Sequence, residues 1–122
     1  MIEPLNVRID RTGDTFSVVE LTGELDLSTV PRLESPLLAH LRARGVVVDL
    51  TKLSFIDSSG LAVLIRAFHA SNGNSMHTVI ARRSQVDRVF RIAGIDRALP
   101  TFFDRDEAVR ALARGRNGNQ AG

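Results

Sequence analysis

The stretch VVVDLTKLSFIDSSGLAVLIRAF, residues 46–68, contains the pattern that decides the fold. It begins with Val46–Leu50, a short and mostly β-branched apolar run, which is typical of a central strand covered on both faces and paired in parallel. A strand followed directly by an amphipathic helix is a building unit of α/β domains. The helix is indicated by apolar side chains at positions i, i+3, i+4 and i+7: Leu61, Leu64, Ile65 and Phe68.

Two shorter runs with strand character precede the central strand. Residues 5–11 alternate apolar and polar side chains, and residues 16–21 are rich in residues that favour strands. The Thr-Gly-Asp sequence at residues 12–14 supplies turn-forming residues between them. We therefore expect the chain to open with an antiparallel hairpin, whose second strand ends near Gly23.

A helix is predicted between the hairpin and the central strand, with Ser28 as its N-cap. Pro36 interrupts this helix, because a proline in a helix interior removes a hydrogen bond and clashes with the preceding turn. The helix either kinks at Pro36 or restarts there with Ser35 as a new cap. Apolar side chains recur on one face at helical spacing: Val30, Leu33, Leu37, Leu38 and Leu41.

The remaining sequence continues to alternate between strand and helix patterns. Residues 78–81 form a short buried strand, and residues 86–93 carry apolar side chains at helical spacing before Gly94, which is placed to end that helix. Residues 101–103 predict an edge strand. Asp104 then begins a capping-box pattern that opens the last helix.

This order of elements predicts an α/β fold, with a mixed β-sheet, an N-terminal antiparallel hairpin and about four flanking helices. Residues 1–113 account for one domain. Residues 114–122 are rich in turn formers and lack an apolar face, so we expect a flexible C-terminal tail.

The composition fits one globular domain and excludes several classes of site. The chain has 122 residues, of which 43% are hydrophobic and 25% charged, and it contains no cysteine, which excludes disulfides and cysteine-ligated zinc. The net charge is only +2 and there is no Trp or Tyr, so we interpret the arginines of the C-terminal half as a solvated face and expect no nucleic-acid partner. These are Arg82, Arg83, Arg88, Arg91 and Arg97.

No segment approaches the length of an apolar membrane span, and the N-terminal residues do not resemble a signal peptide, so we expect a cytoplasmic protein.

Catalytic and cofactor motifs are not found in the sequence. His40, His69 and His77 lie in separate predicted elements without metal-ligand spacing, and there is no glycine-rich phosphate loop. The G-x-S-x-G pattern of a serine hydrolase is also missing. We therefore expect no enzyme activity, no cofactor and no metal site.

Two polar motifs lie where strands give way to helices. Asp57-Ser58-Ser59-Gly60 follows the central strand, and its residues alone leave two interpretations open: a serine that caps the helix, or a serine that is the target of chemistry. Gly23-Glu24-Leu25-Asp26 ends the second strand, and alone it indicates no more than a strand end followed by a polar turn.

Together with Val48-Asp49-Leu50 and Arg91-Ile92-Ala93-Gly94-Ile95, these motifs resemble the STAS-domain family of bacterial anti-sigma factor antagonists, from about Leu5 to about Leu112. The resemblance implies a mixed sheet flanked by helices and no catalytic activity. It also implies an anti-sigma factor partner, a histidine-kinase-like ATPase that phosphorylates a serine of the antagonist and so ends the binding. The resemblance further implies a metal-dependent serine phosphatase, which would restore the binding.

The resemblance places the phosphorylation site at Ser59, with Ser58 as the second choice. Asp26, Asp57, Ser58 and Gly60 correspond to the partner-binding residues. Through this switch the protein would control sigma factor release and transcription. Two prolines of the first helix, Pro31 and Pro36, depart from the family pattern beside the binding surface.

Other functions remain open at this point. The resemblance also allows a STAS subunit of a stress-signalling scaffold or of a lipid ABC transporter, and a serine hydrolase is a more remote alternative. The sequence leaves open the identity of the sigma factor, the anti-sigma factor, the phosphatase and the triggering signal, and also the oligomeric state.

Overall fold

The computed structural model describes residues 4–11, 15–71 and 75–121, with side chains described up to Gly115. The predicted turn at residues 12–14 lies outside this part of the chain. In chain order the described elements are β1 (Leu5–Arg11), β2 (Phe16–Leu25), α1 (Val30–Ala43), β3 (Gly45–Ile56), α2 (Ser58–Ala70), β4 (Met76–Val79), α3 (Gln85–Ala93), α4 (Ile95–Ala98), β5 (Thr101–Phe102) and α5 (Arg105–Ala121).

The strands form one mixed sheet in the order β1-β2-β3-β4-β5. β1 and β2 pair antiparallel, and each later neighbour pairs in parallel. The predicted α/β class and the opening hairpin are therefore confirmed. The four-residue helix α4 was not predicted, because so short an element shows no periodicity.

The central strand β3 is buried on both faces, as its valine run predicts. Val46 and Val48 join the large apolar cluster formed with α1, α2, α3 and α4. Val47 points the other way, into a smaller cluster with Val18, Val79 and two residues of α5. Burying a side chain of this kind stabilises the fold by about 1.5–3 kcal/mol. β3 is thus the strand against which helices pack on both faces of the sheet.

Strands β2 and β3 both extend further than the sequence predicts. β2 continues through Gly23 to Leu25, because its parallel pairing with β3 continues to the pair Leu25 and Ile56. Gly23 lies at an irregularity of this pairing with φ of 108°, a backbone conformation that glycine adopts without strain. The strand end expected at Gly23 is therefore wrong, and the sheet reaches the two polar motifs directly.

Helix α1 is continuous from Val30 to Ala43 with Pro36 inside it, so the restart at Ser35, one of the two alternatives, does not occur. Leu33 and Leu37 on either side of Pro36 are fully buried, and their packing offsets the hydrogen bond that the proline removes. Ser28 is not the cap: Thr29 occupies that position.

Helix α5 covers the second face of the sheet. Asp104 accepts a hydrogen bond from the backbone N–H of Glu107 at 3.0 Å, which confirms the predicted cap. Arg105 donates to Asp49 at 2.8 Å and also bonds Glu20, two carboxylates that lie on neighbouring strands and are almost fully buried. The backbone is helical through Ala121, past Arg114 where the sequence favoured turns. The flexibility of residues 114–122 and the domain boundary at residue 113 stay predictions.

Candidate functional site

The two polar motifs meet at the carboxyl ends of β2 and β3. Leu25 and Ile56 are paired in register, so Asp26 and Asp57 leave the sheet at neighbouring positions. The backbone N–H of Asp57 donates to the carbonyl oxygen of Leu25 at 3.2 Å and joins the two chain segments. The structure therefore brings together the two acidic residues that the sequence identified separately.

Asp57 is the N-cap of helix α2. Its Oδ1 accepts a hydrogen bond from the backbone N–H of Gly60 at 3.1 Å. Ser58 and Ser59 are the first two helical residues, and within the described chain neither hydroxyl makes a hydrogen bond, to a histidine ring or to any other group. A serine as the cap, one of the two interpretations of this motif, is therefore wrong, since a carboxylate already fills that role.

The two serines differ in accessibility. Ser58, the first residue of α2, is exposed, whereas Ser59, the second residue, is half-buried. A helix N-terminus presents free backbone N–H groups and the positive end of the helix dipole. Negative charge added to either hydroxyl would therefore lie in a favourable field from the helix.

Asp26 is held in one orientation by the turn that leads into α1. Its Oδ1 accepts from the Ser28 hydroxyl at 2.7 Å and from the backbone N–H groups of Ser28 and Thr29 at 3.0 and 3.2 Å. These hydrogen bonds lower the pKa of Asp26, and the bond from the Ser28 hydroxyl has the largest effect. The site therefore carries a fixed negative charge beside the start of α2 at neutral pH.

Gly60 is buried where α2 approaches the end of β2. A Cβ atom at this position would lie 2.7 Å from Cγ1 of Ile56 and 2.8 Å from the carbonyl oxygen of Leu25. Packing alone therefore requires glycine here. Its predicted role in partner binding stays a prediction, as do those of Asp26, Asp57 and Ser58.

Sequence reasoning missed two residues of this region. Leu27, directly after Asp26, is an apolar side chain with 76% of its surface exposed. Leu27 lies three residues before Val30, in phase with the apolar face of α1 but ahead of its first residue, so its spacing alone predicts a buried side chain. The second is Gln85, whose side chain bonds the backbone of Ile56. A contact across 29 positions leaves no local pattern in the sequence.

The described residues include no group of three or more His, Asp or Glu side chains that could hold a metal ion. His40, His69 and His77 lie on α1, α2 and β4. Over the same residues, no helix combines the length and the apolar character that crossing a membrane requires.

Comparisons with known proteins agree with this geometry. A family model described as the STAS domain matches residues 6–108. The anti-sigma-B factor antagonist of Staphylococcus epidermidis is 36% identical over 96 residues, which cover 75% of this chain and 88% of the relative.

Solved structures show the same fold. The crystal structure of an anti-sigma factor antagonist from Mycobacterium paratuberculosis has a TM-score of 0.80 at 25% identity and covers 89% of this chain and 94% of its own. SpoIIAA in its unphosphorylated form has a TM-score of 0.72 at 18% identity, and Bacillus SpoIIAA in the phosphorylated form has 0.63 at 21%. Each covers 88% of this chain, with 96% and 99% of its own length, and at these identities both show the fold alone.

Proposed function

The chain belongs to the STAS domain family, and from this we propose that it is an anti-sigma factor antagonist that acts in the cytoplasm. Its partner is an anti-sigma factor of the histidine-kinase-like ATPase class. That partner phosphorylates Ser59 and thereby ends the binding, and a serine phosphatase restores it. The switch controls sigma factor release and therefore transcription.

The state of the Ser59 hydroxyl supports this proposal more than any other observation. It is partly accessible, it has no hydrogen-bond partner among the described residues, and it stands at the first turn of α2 where Asp57 already provides the cap. A hydroxyl that the fold does not use is available as an acceptor of phosphate. The Ser58 hydroxyl likewise has no hydrogen-bond partner among the described residues, so site mapping must include Ser58.

Phosphate on Ser59 would change the interface more than the fold. It adds about −1.5 to −2 charges at neutral pH. The α2 N-terminus favours that charge, and the carboxylates of Asp57 and Asp26 oppose it, so the two effects on folding largely cancel. A partner surface shaped for a hydroxyl must instead desolvate a dianion. A 1000-fold loss of affinity requires only about 4 kcal/mol.

Leu27 supplies the apolar contact that such an interface needs. It is exposed, and it follows Asp26 in the turn that emerges beside the start of α2. Binding energy at protein interfaces is concentrated in a few residues, which neighbouring contacts shield from water. Leu27 is exposed and is flanked in the sequence by Asp26 and Ser28, so it offers an apolar contact next to polar groups.

The test is incubation of the protein with candidate histidine-kinase-like anti-sigma factors, ATP and Mg²⁺, followed by intact mass and site mapping. We expect one phosphoryl group on Ser59. The Ser58→Ala protein should still be modified and serves as the control, whereas Ser59→Ala should not be. A protein that neither binds nor is phosphorylated by any such ATPase, including one encoded beside its own gene, would refute the proposal.

A further inference from the structure

The side chain of Gln85 holds both backbone polar groups of Ile56, the last residue of β3. The N–H of Ile56 donates to Oε1 of Gln85 at 2.9 Å, and Nε2 of Gln85 donates to the carbonyl oxygen of Ile56 at 2.9 Å. Gln85 is the first residue of α3, and Ile56 immediately precedes the cap residue Asp57. The contact therefore connects a separate helix to the base of the segment that carries Ser59.

The side chain of Gln85 takes the place of a neighbouring strand beside the end of β3. The described pairs between β3 and β4 end at Asp49 and Val79, so β3 extends seven residues beyond its neighbour on that side. On its other side the next residue, Asp57, donates to Leu25 of β2, which turns the polar groups of Ile56 away from β2. The carboxamide of Gln85 supplies the donor and acceptor that a neighbouring peptide group would have supplied.

Both residues of the contact between Gln85 and Ile56 belong to well-ordered segments. Ile56 is 1% exposed, so its backbone groups would be costly to leave unpaired. On the other side, the Ser84 hydroxyl accepts from the backbone N–H of Asp87 at 3.0 Å and caps α3 one residue before Gln85. The start of α2 is thus held from two directions, by Leu25 of β2 and by Gln85 of α3.

We propose that Gln85 is the positioning residue for phosphorylation of Ser59, an inference that rests on the proposed function. The γ-phosphate of ATP is transferred to the serine oxygen, its bond to ADP breaks, and the hydroxyl proton leaves to a base of the kinase. This transfer depends on holding the acceptor in line with the phosphate. Gln85 fixes Ile56 and, through Asp57, the first turn of α2, without touching the reacting atoms itself.

The test compares Gln85→Met, which keeps the length of the side chain and removes both hydrogen bonds, with Arg88→Ala, which changes an exposed side chain one turn further along α3 and leaves the Ile56 contact and the Ser84 cap in place. For Gln85→Met we expect kcat of phosphorylation to fall about tenfold with little change in KM, because the lost hydrogen bonds position the acceptor rather than bind the partner. Arg88→Ala should keep the wild-type kcat.

Amide hydrogen exchange on the free protein provides a readout that needs no kinase. The Ile56 amide and the amides of residues 57–60 should exchange faster in Gln85→Met than in Arg88→Ala. Gln85→Glu should recover protection of the Ile56 amide, because a carboxylate oxygen still accepts from it. Equal kcat values for wild type and Gln85→Met, or unchanged protection of Ile56, would overturn the inference. Wild-type protein that no kinase phosphorylates, with Ile56 protection that still depends on Gln85, would instead refute the proposed function.

Discussion

Gly60 and Leu25 approach each other so closely that no side chain fits between them: a Cβ atom on residue 60 would lie 2.8 Å from the carbonyl oxygen of Leu25. This contact packs the first turn of α2 against the end of β2. The loop that leads to α1 begins at the same place, with Asp26. The distance between the two helix starts, and with it the shape of the candidate interface, therefore depends on a glycine.

Gly60→Ala should destabilise the fold by about 1–3 kcal/mol, as overpacking at a buried position does. Urea unfolding measures the loss. Gly115→Ala is the matched control: it lies in α5 with nothing within 4 Å of an added Cβ, so the better helix propensity of alanine should stabilise the protein by up to about 1 kcal/mol. A Gly60→Ala protein as stable as wild type would mean that α2 can shift away from β2 without cost.

Charge at Ser59 should control binding without changing the fold. Ser59→Ala should bind the anti-sigma factor and stay bound in the presence of ATP, whereas Ser59→Asp should bind it at least tenfold more weakly, since a buried unpaired carboxylate costs several kcal/mol at an interface. Titration calorimetry gives the affinities and amide NMR spectra report the fold. Equal affinity of the two variants would exclude Ser59 as the switch, and a global change in the spectrum of Ser59→Asp would exclude an interface mechanism.

Asp26→Asn should separate binding from stability. The amide oxygen of asparagine can accept the same hydrogen bonds from Ser28 and Thr29 that Oδ1 of Asp26 accepts, so the melting temperature should be nearly unchanged. The negative charge is lost, and we expect affinity for the anti-sigma factor or the rate of phosphorylation to fall about tenfold. Unchanged binding and phosphorylation would remove Asp26 from the partner-binding residues.

Arg105 attaches α5 to the sheet through the carboxylates of Glu20 and Asp49, which are 8% and 3% exposed. Arg105→Ala should destabilise the fold by about 2 kcal/mol, because two buried like charges remain; the cost is below that of a fully buried pair since 36% of the arginine side chain is exposed. Chemical unfolding measures it.

Arg66→Ala provides the comparison for that prediction. Arg66 pairs with Glu34 at 3.0 Å, and 58% and 41% of these side chains are exposed, so the loss should not exceed about 0.5 kcal/mol. Similar losses for the two arginine variants would show that the contact of α5 with Glu20 and Asp49 contributes no more than a surface pair.

Periodicity in the sequence was sufficient for the order of the strands and for the main helices, although β4 spans Met76–Val79 and not the predicted residues 78–81. The run Val46–Val48 predicted a strand buried on both faces, and β3 is central in the sheet. Gly94 was expected to end a helix, and it does so with φ of 72°. Such signals are local: the side chains or the backbone conformation of one segment report their own environment.

What the sequence could not give depends on contacts between segments. Aspartate and serine are equally good caps, so only the structure distinguishes Asp57 from the serines that follow it. Gly23 was interpreted as a strand end, because pairing with a distant strand cannot be read from a glycine. The hydrogen bonds of Gln85 to Ile56 likewise exist only once α3 packs beside β3.

The buried histidine of β4 should make stability depend on pH. His77 packs against the ring of Phe102, and its Nδ1 lies 3.2 Å from the carbonyl oxygen of Ala108 on α5. Burial lowers the pKa of His77 below its ordinary value of 6.5, against the weaker raising effect of that hydrogen bond. As the pH falls, the unfolded chain therefore binds a proton before the folded protein does. This contribution is fully present above about pH 6.5 and is lost progressively below it.

Urea midpoints measured between about pH 7.5 and pH 5.5 test this dependence. The wild-type midpoint should decrease over that interval, and the decrease should be smaller in His77→Asn, whose amide can still donate to Ala108 but does not titrate. Burial and the charges of Arg11 and Arg44 also lower the pKa of His40, so His40 contributes to the decrease with the same sign, and a variant lacking both histidines should show a flatter profile than either single variant. An identical decrease in His77→Asn and wild type would show that protonation of His77 does not oppose the packing of α5 on the sheet.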